Sequence, residues 1–202
     1  MPEKIARRTQ QERTTATRAR VLGATMASLV EDGYAATTIS RVQERAGVAR
    51  GTLLHHFPTR AVLLASVVED VAARRLRVLE NRPPTPGGWD AAVDLVWGDL
   101  QSPVFLAVLE LWVAARTDDD LRAALVPVER IVFESVHRAV TTRVDDADPR
   151  VPTLVQFTID LLTGSTMTTL LAEDTRPQGV LLDRWRRAIP VLLGRAEADG
   201  WT

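Results

Sequence analysis

The 202-residue chain is 46% hydrophobic and 25% charged, with a formal net charge of −1, the composition of an ordinary folded protein of one or two small domains. It has no cysteine, which excludes disulfides and thiolate-held metals, and no apolar run of about 18 residues that would span a membrane. The start, MPEKIARRTQQERTTATRAR, lacks the apolar stretch of a secretory signal, so the cytoplasm is the expected compartment and no membrane partner is expected.

The chain reads as helices throughout, an all-α fold of about nine, because no segment alternates apolar and polar residues as a sheet requires. Residues 1–14 are polar and are expected to form a flexible arm. A first helix over 17–32 carries the apolar stripe Val21, Leu22, Met26, Leu29 and Val30, and Gly33 supplies a stop. Thr37 or Thr38 caps a short second helix over 39–46. Gly47 breaks it, and a third helix over 50–57 ends at Pro58. Two short helices joined by a glycine turn form a helix-turn-helix.

A fourth helix begins near Thr59 and extends to 77 or 80, and a proline-glycine loop follows over 82–88. Further helices are expected over 89–101, 103–117, 118–144, 153–172 and 180–197. Pro103 suits a helix start, and the acidic run Asp118–Asp120 suits the positive end of the helix that follows.

Charge is unevenly spread. Residues 1–60 carry ten basic and five acidic side chains, so the first sixty residues are net +5 and the rest −6. A basic N-terminal third on an acidic body points to a polyanionic partner for that third. The adjacent His55 and His56 raise the question of a metal. Neighbours on a helix point about 100° apart, whereas a zinc pair needs the i, i+3 or i, i+4 spacing. Neither a metal nor a cofactor is therefore expected. The third helix reads better as a recognition element. Arg50 at its start can pair with a guanine edge, Gly51 permits close backbone approach, and Thr52 suits a base edge or a thymine methyl. Leu53 and Phe57 face inward, while His55, His56 and Arg60 can donate to phosphates or bases.

The stretch 37-TTISRVQERAGVARGTLLHHFPTRAVLL-64 resembles the DNA-binding domain of the tetracycline-repressor (TetR) family of bacterial regulators. The resemblance rests on Thr38, Ala46, Gly47, Val48, Gly51, Thr52, Leu53, His56 and Phe57, with Gly33-Tyr34 before them, and covers residues 17–64. It implies a homodimer on double-stranded operator DNA, controlled by an unidentified small-molecule effector. The DNA-binding residues expected are Thr37, Thr38, Arg50, Gly51, Thr52, His55, His56 and Arg60. Three positions depart from the family pattern. Ala49 replaces a serine that caps the third helix, Leu54 replaces a tyrosine that touches the DNA backbone, and Arg60 replaces a lysine. Such phosphate contacts position a protein without reading sequence. DNA binding is therefore expected to survive, with Arg7, Arg8, Arg13 and Arg18 compensating.

The resemblance divides the chain into a DNA-binding domain over 1–62 and a helical regulatory domain over 63–202. The last helix has a sharp stripe of Leu181, Leu182, Trp185, Ala188, Ile189, Leu192 and Leu193, and the one before it is apolar on several sides. Leu161, Leu162, Gly164, Leu181, Trp185, Ile189 and Leu192 are thus expected at a four-helix dimer interface. Packing inside one subunit is the competing reading. Trp97, Phe105, Leu109, Trp112, Phe133, His137 and Phe157 are candidates to line an effector pocket, each with an alternative reading as core. Two rival functions remain open on sequence alone: a small helical enzyme using a histidine base, and a ligand-binding protein that does not touch DNA. Against the enzyme stands the lack of any nucleophile, base and orienter set.

Overall fold

The computed structural model describes residues 10–81, 88–144, 147–169 and 178–195. The arm residues Arg7 and Arg8 lie outside this set, as do the expected ends of the last two helices. Nine helices and no strand occur among the described residues: α1 (Gln10–Ala36), α2 (Ile39–Ala46), α3 (Arg50–His56), α4 (Arg60–Asn81), α5 (Gly88–Leu100), α6 (Pro103–Ala114), α7 (Asp119–Val144), α8 (Val151–Thr169) and α9 (Gln178–Leu192).

The helices form two compact units. The first takes residues up to Ala73 together with Leu106–Arg130, and the second takes Arg74–Phe105 together with the chain from Ile131 onward. Helices α4, α6 and α7 therefore each contribute to both. The expected regulatory region from residue 63 gives 63–73 and 106–130 to the unit that holds the helix-turn-helix.

In the first unit, α1 packs on α2 and α2 on α3. Val21, Leu22, Leu29, Val42, Leu53, Phe57, Leu63, Val67, Leu111 and Leu121 are buried together. Two features of α1 depart from the sequence reading. It begins at Gln10, so residues 10–14 are helical rather than part of a flexible arm. Its buried face includes Thr25 and Ser28, while Val30 is exposed. Thr25 satisfies its hydroxyl on the Val21 carbonyl at 2.8 Å, which makes its burial tolerable. Gly33 breaks the helical path with φ 78°, a value that favours glycine.

Signals at the helix ends explain most boundaries. The Thr38 hydroxyl accepts from the Arg41 N–H and caps α2. Gly47, at φ 60°, ends it: the Gly47 and Val48 N–H groups return to the Glu44 and Gln43 carbonyls, a Schellman closure. Thr59 caps α4 through the Val62 N–H, and Ser102 caps α6 through the Phe105 N–H.

In the second unit, α5 packs against α8 and α9 around Ala92, Val93, Val140, Val151, Val155, Leu162 and Ile189. The end of α9 closes at Gly194, again at positive φ, with Arg195 N–H on the Pro190 carbonyl. Arg150 adds donors to the Leu192 and Leu193 carbonyls at 3.0 and 2.8 Å. Its guanidinium also grips Asp148, holding that carboxyl well below the usual carboxylate range. A carboxylate depressed in the folded state contributes stability above its unfolded pKa, and that contribution is lost as acid protonates it. Acid unfolding of the second unit is therefore expected to shift when Asp148 becomes Asn: the variant loses stability at neutral pH and shows a flatter acid limb. Unfolding followed from pH 7 down to pH ~2 checks this.

Candidate nucleic-acid interface

Helix α3 is only seven residues long, so it owes its place to the residues it buries. Leu53 and Phe57 are 0% and 1% exposed and enter the core with Val42 from α2. That anchoring turns Arg50, Gly51, Thr52 and His55 outward, all exposed, with His56 half-buried. His56 lies 5.7 Å from the His55 ring and 6.2 Å from Phe57. Arg18 of α1 sits over the Phe57 ring at 5.3 Å, so a second cation stands beside α3. Arg50 makes no ion pair among the described residues, unlike Arg41 and Arg45 of α2. Arg41 grips Asp32 at 3.1 and 3.3 Å, and Arg45 grips Glu31.

Gly51 is informative. A Cβ built on it meets nothing within 4 Å. Packing within the chain therefore does not require glycine there.

Two expected contact residues are placed elsewhere. Thr37 is 1% exposed; its hydroxyl lies 2.8 Å from the Gly33 carbonyl and 3.1 Å from Ser28 Oγ. It tightens the α1–α2 corner and cannot face DNA, while Thr38 is exposed and caps α2. Arg60 is also engaged inside the chain. It donates to the Thr37 and Tyr34 carbonyls, and its guanidinium lies over the Tyr34 ring at 4.1 Å. Its Nε and one terminal nitrogen hold the corner.

The same corner shows contacts that the sequence reading did not foresee. The Tyr34 N–H donates to Glu110 Oε2 at 2.8 Å, and the Tyr34 hydroxyl donates to Asp118 Oδ2 at 3.0 Å. Burial, then the bond to Asp118, raises the tyrosine pKa; the Leu121 N–H, then Tyr34, lowers that of Asp118. The partners are 76 and 84 residues apart, and no local pattern marks them.

The expected pocket residues do not gather in one place. Leu109 and Trp112 belong to the first unit; Trp97, Phe105, Phe133, His137 and Phe157 belong to the second. Trp97 and Phe105 pack on the second core, and Phe157 is 53% exposed. Phe133 and His137 do meet, stacked at 6.2 Å, and line an open depression of about 440 Å³ with Glu134, Arg138, Thr141, Thr142 and Gln156. His137 Nε2 is 2.8 Å from the Pro152 carbonyl.

The expected dimer residues also divide. Leu162 and Ile189 are fully buried within the second unit, which corrects their assignment to an interface. Trp185 and Leu181 are partly buried there, Trp185 donating to the Thr158 hydroxyl at 2.9 Å. Leu161, Gly164 and Leu192 remain exposed. With Phe157 and Met167 they leave an apolar stripe on α8 and one exposed leucine near the end of α9.

Residues 21–67 match the family of bacterial regulatory proteins described as the tetR family. An uncharacterized HTH-type transcriptional regulator of Mycobacterium tuberculosis is 32% identical over 140 residues, 65% of this chain and 70% of that protein. The chain belongs to the tetR family. It is a DNA-binding transcriptional regulator, not an enzyme. Two further relatives are the HTH-type regulator CymR of Pseudomonas putida, 33% identical over 64% of this chain and 68% of its own, and the repressor AcnR of Corynebacterium glutamicum, 26% identical over 69% and 72%. The fold matches the multidrug binding protein EbrR complexed with ethidium, with a TM-score of 0.66, 21% identity and coverage of 85% of this chain and 97% of that one.

Within this tetR-family helix-turn-helix, the departures at positions 49 and 54 have physical consequences. Ala49 stands at the start of α3 with extended backbone and no side-chain cap. Ala49→Ser is expected to stabilise the first unit by about 1 kcal/mol, and Thr38→Ala to cost about as much by uncapping α2. Denaturant unfolding of the two variants checks both signs. Leu54 is half-buried and packs against the first core, so its apolar side chain is used in place of a polar contact.

Proposed function

We propose that this regulator is a homodimeric repressor that holds a palindromic operator through α3 and is released by a small, mostly apolar effector. The observation that carries the reading is the outward set on α3: Arg50, which makes no ion pair among the described residues, a Gly51 with open space above it, and Thr52 and His55 beside them. Thr38 and His56 complete the contact surface. Arginine reads guanine through two parallel bonds, and threonine suits a base edge. The DNA-contacting function falls within residues 1–62, and effector binding and dimerisation fall within 63–202.

Repression is supported by the similarity to AcnR, a transcriptional repressor. The exposed stripe of Phe157, Leu161, Gly164 and Met167 supports a homodimer, because a water-facing apolar helix face gains from being covered. Two recognition helices about 34–36 Å apart would then read a palindrome. Phe133 and His137, stacked at the rim of the open depression, are assigned to effector contact. The cytoplasm follows as the compartment in which operator DNA is met. Sedimentation of the protein with and without a selected duplex tests the assembly. Two chains per duplex, and a dimer without DNA that Leu161→Glu dissociates, are expected; a monomer that binds duplex one to one would refute the dimeric reading.

A further inference from the structure

We infer that Glu110 and Asp118 are positioning residues for DNA binding, acting by clamping Tyr34 at the corner from which both the helix-turn-helix and α4 start. The inference rests on the DNA-binding role of α3 and deepens it.

The corner begins at Gly33, where φ 78° takes the chain off the helical path. That break removes the Tyr34 N–H from the α1 hydrogen-bond ladder. An orphan N–H needs an acceptor, and Glu110 of α6 supplies one from a charged carboxylate at 2.8 Å. Charge-assisted bonds of this kind are the stronger ones. The fit is close: a Cβ at position 33 would stand 3.3 Å from the same Glu110 oxygen. Gly33 is favoured by its backbone angle, and a Cβ there would crowd the Glu110 carboxylate, which would have to give by a few tenths of an ångström.

Asp118 holds the other end of Tyr34. Its Oδ1 accepts the Leu121 N–H and caps α7, while its Oδ2 accepts the Tyr34 hydroxyl. One carboxylate therefore ties the start of α7 to the end of α1. Arg60 closes the arrangement from α4, lying over the Tyr34 ring and bonding the carbonyls of Tyr34 and Thr37. The next residue, Thr38, caps α2. Three groups, from α4, α6 and the start of α7, thus converge on Tyr34 and Thr37 at the α1–α2 corner. Those residues set the direction of α2, and α2 carries α3 through the three-residue turn Gly47–Val48–Ala49. The three groups' bonds are spent within the chain. Their effect is on where Arg50 and Thr52 stand.

Such a clamp acts on specific more than non-specific binding. Base contacts demand exact placement of a helix, whereas phosphate attraction tolerates displacement. Glu110→Ala removes the acceptor, Glu110→Gln keeps a carbonyl oxygen in its place, and Tyr34→Phe removes the bond to Asp118 but keeps the ring under Arg60. Glu110→Ala and Tyr34→Phe are expected to weaken binding to a selected duplex about tenfold or more, a single lost base contact per site being worth that much. Affinity for an unrelated duplex should stay within about twofold, and Glu110→Gln should behave as the native chain. Amide hydrogen exchange without DNA reads the clamp independently of any operator. Glu110→Ala should speed exchange at Tyr34 and across α2 while leaving α5 and α8 unchanged. Unchanged exchange at Tyr34 and α2 would overturn the clamp, even if the native chain selected no duplex. Specific and non-specific affinities that fall together, in step with melting temperature and without rescue by glutamine, would overturn the positioning role.

Discussion

Phe57→Ala is expected to cost the first unit about 3–5 kcal/mol, the usual penalty for emptying a buried phenylalanine site. The side chain is 1% exposed and sits among Leu53, Val42, Val21 and Leu63. Total stability in domains of this size is about 5–15 kcal/mol, so the loss is a large fraction of it. The effect reaches beyond packing. A seven-residue helix does not persist alone, and α3 is held chiefly by Leu53 and Phe57, with Leu54 packed beside them. DNA binding should fail at temperatures where the rest of the chain is still folded. Phe57→Leu should recover most of the stability, since it refills most of the volume. Denaturant unfolding, with helix content and duplex binding followed together, checks the result. A loss under about 1 kcal/mol would mean that Phe57 is not the anchor its burial indicates.

Arg50→Ala is the second large effect, and it should leave stability alone. The side chain is exposed and makes no ion pair among the described residues. Surface changes of this kind stay within about 0.5 kcal/mol. A bidentate contact to guanine is worth about 1–3 kcal/mol, and a dimer on a palindrome would lose two of them. The expected result is a loss of operator affinity of about thirtyfold to ten-thousandfold, with relaxed preference at one position of each half-site. Gly51→Ala sharpens the test because its two effects oppose each other. Alanine is favoured over glycine in a helix by up to about 1 kcal/mol, and the added Cβ meets nothing in the chain. The protein should become slightly more stable and bind its operator more weakly. If affinity were unchanged, the space above Gly51 would not be where DNA approaches.

The all-α architecture and the helix-turn-helix were legible because local signals set them. Gly47 after an eight-residue polar helix, and Pro58 after Phe57, mark ends that depend on backbone chemistry alone. The outward face of α3 followed from two inward residues four apart. The residues 10–14 of α1 gave no such signal: they are exposed, so no apolar period reports their helical state. Thr37 and Thr38 are chemically identical, and only packing against Ser28 and Gly33 decides which is buried. Arg60 looks like a phosphate cation in sequence because its true acceptors are backbone carbonyls 23 and 26 residues earlier. The stripe on α9 was visible, but periodicity does not say which surface it meets. Leu182, Ala188, Ile189 and Leu193 meet their own unit. The aromatic residues proposed for one pocket carry no register at all, and the fold divides them between two units.

Selection of bound duplexes from a random pool, followed by titration of the winner at two salt concentrations, tests the account most directly. It predicts a palindromic winner with half-sites one duplex turn apart, steep salt dependence, and specificity lost with Arg50→Ala. A folded, dimeric protein that enriches no sequence, or a winner bound equally well by Arg50→Ala, would contradict the assignment of α3 as the element that reads DNA.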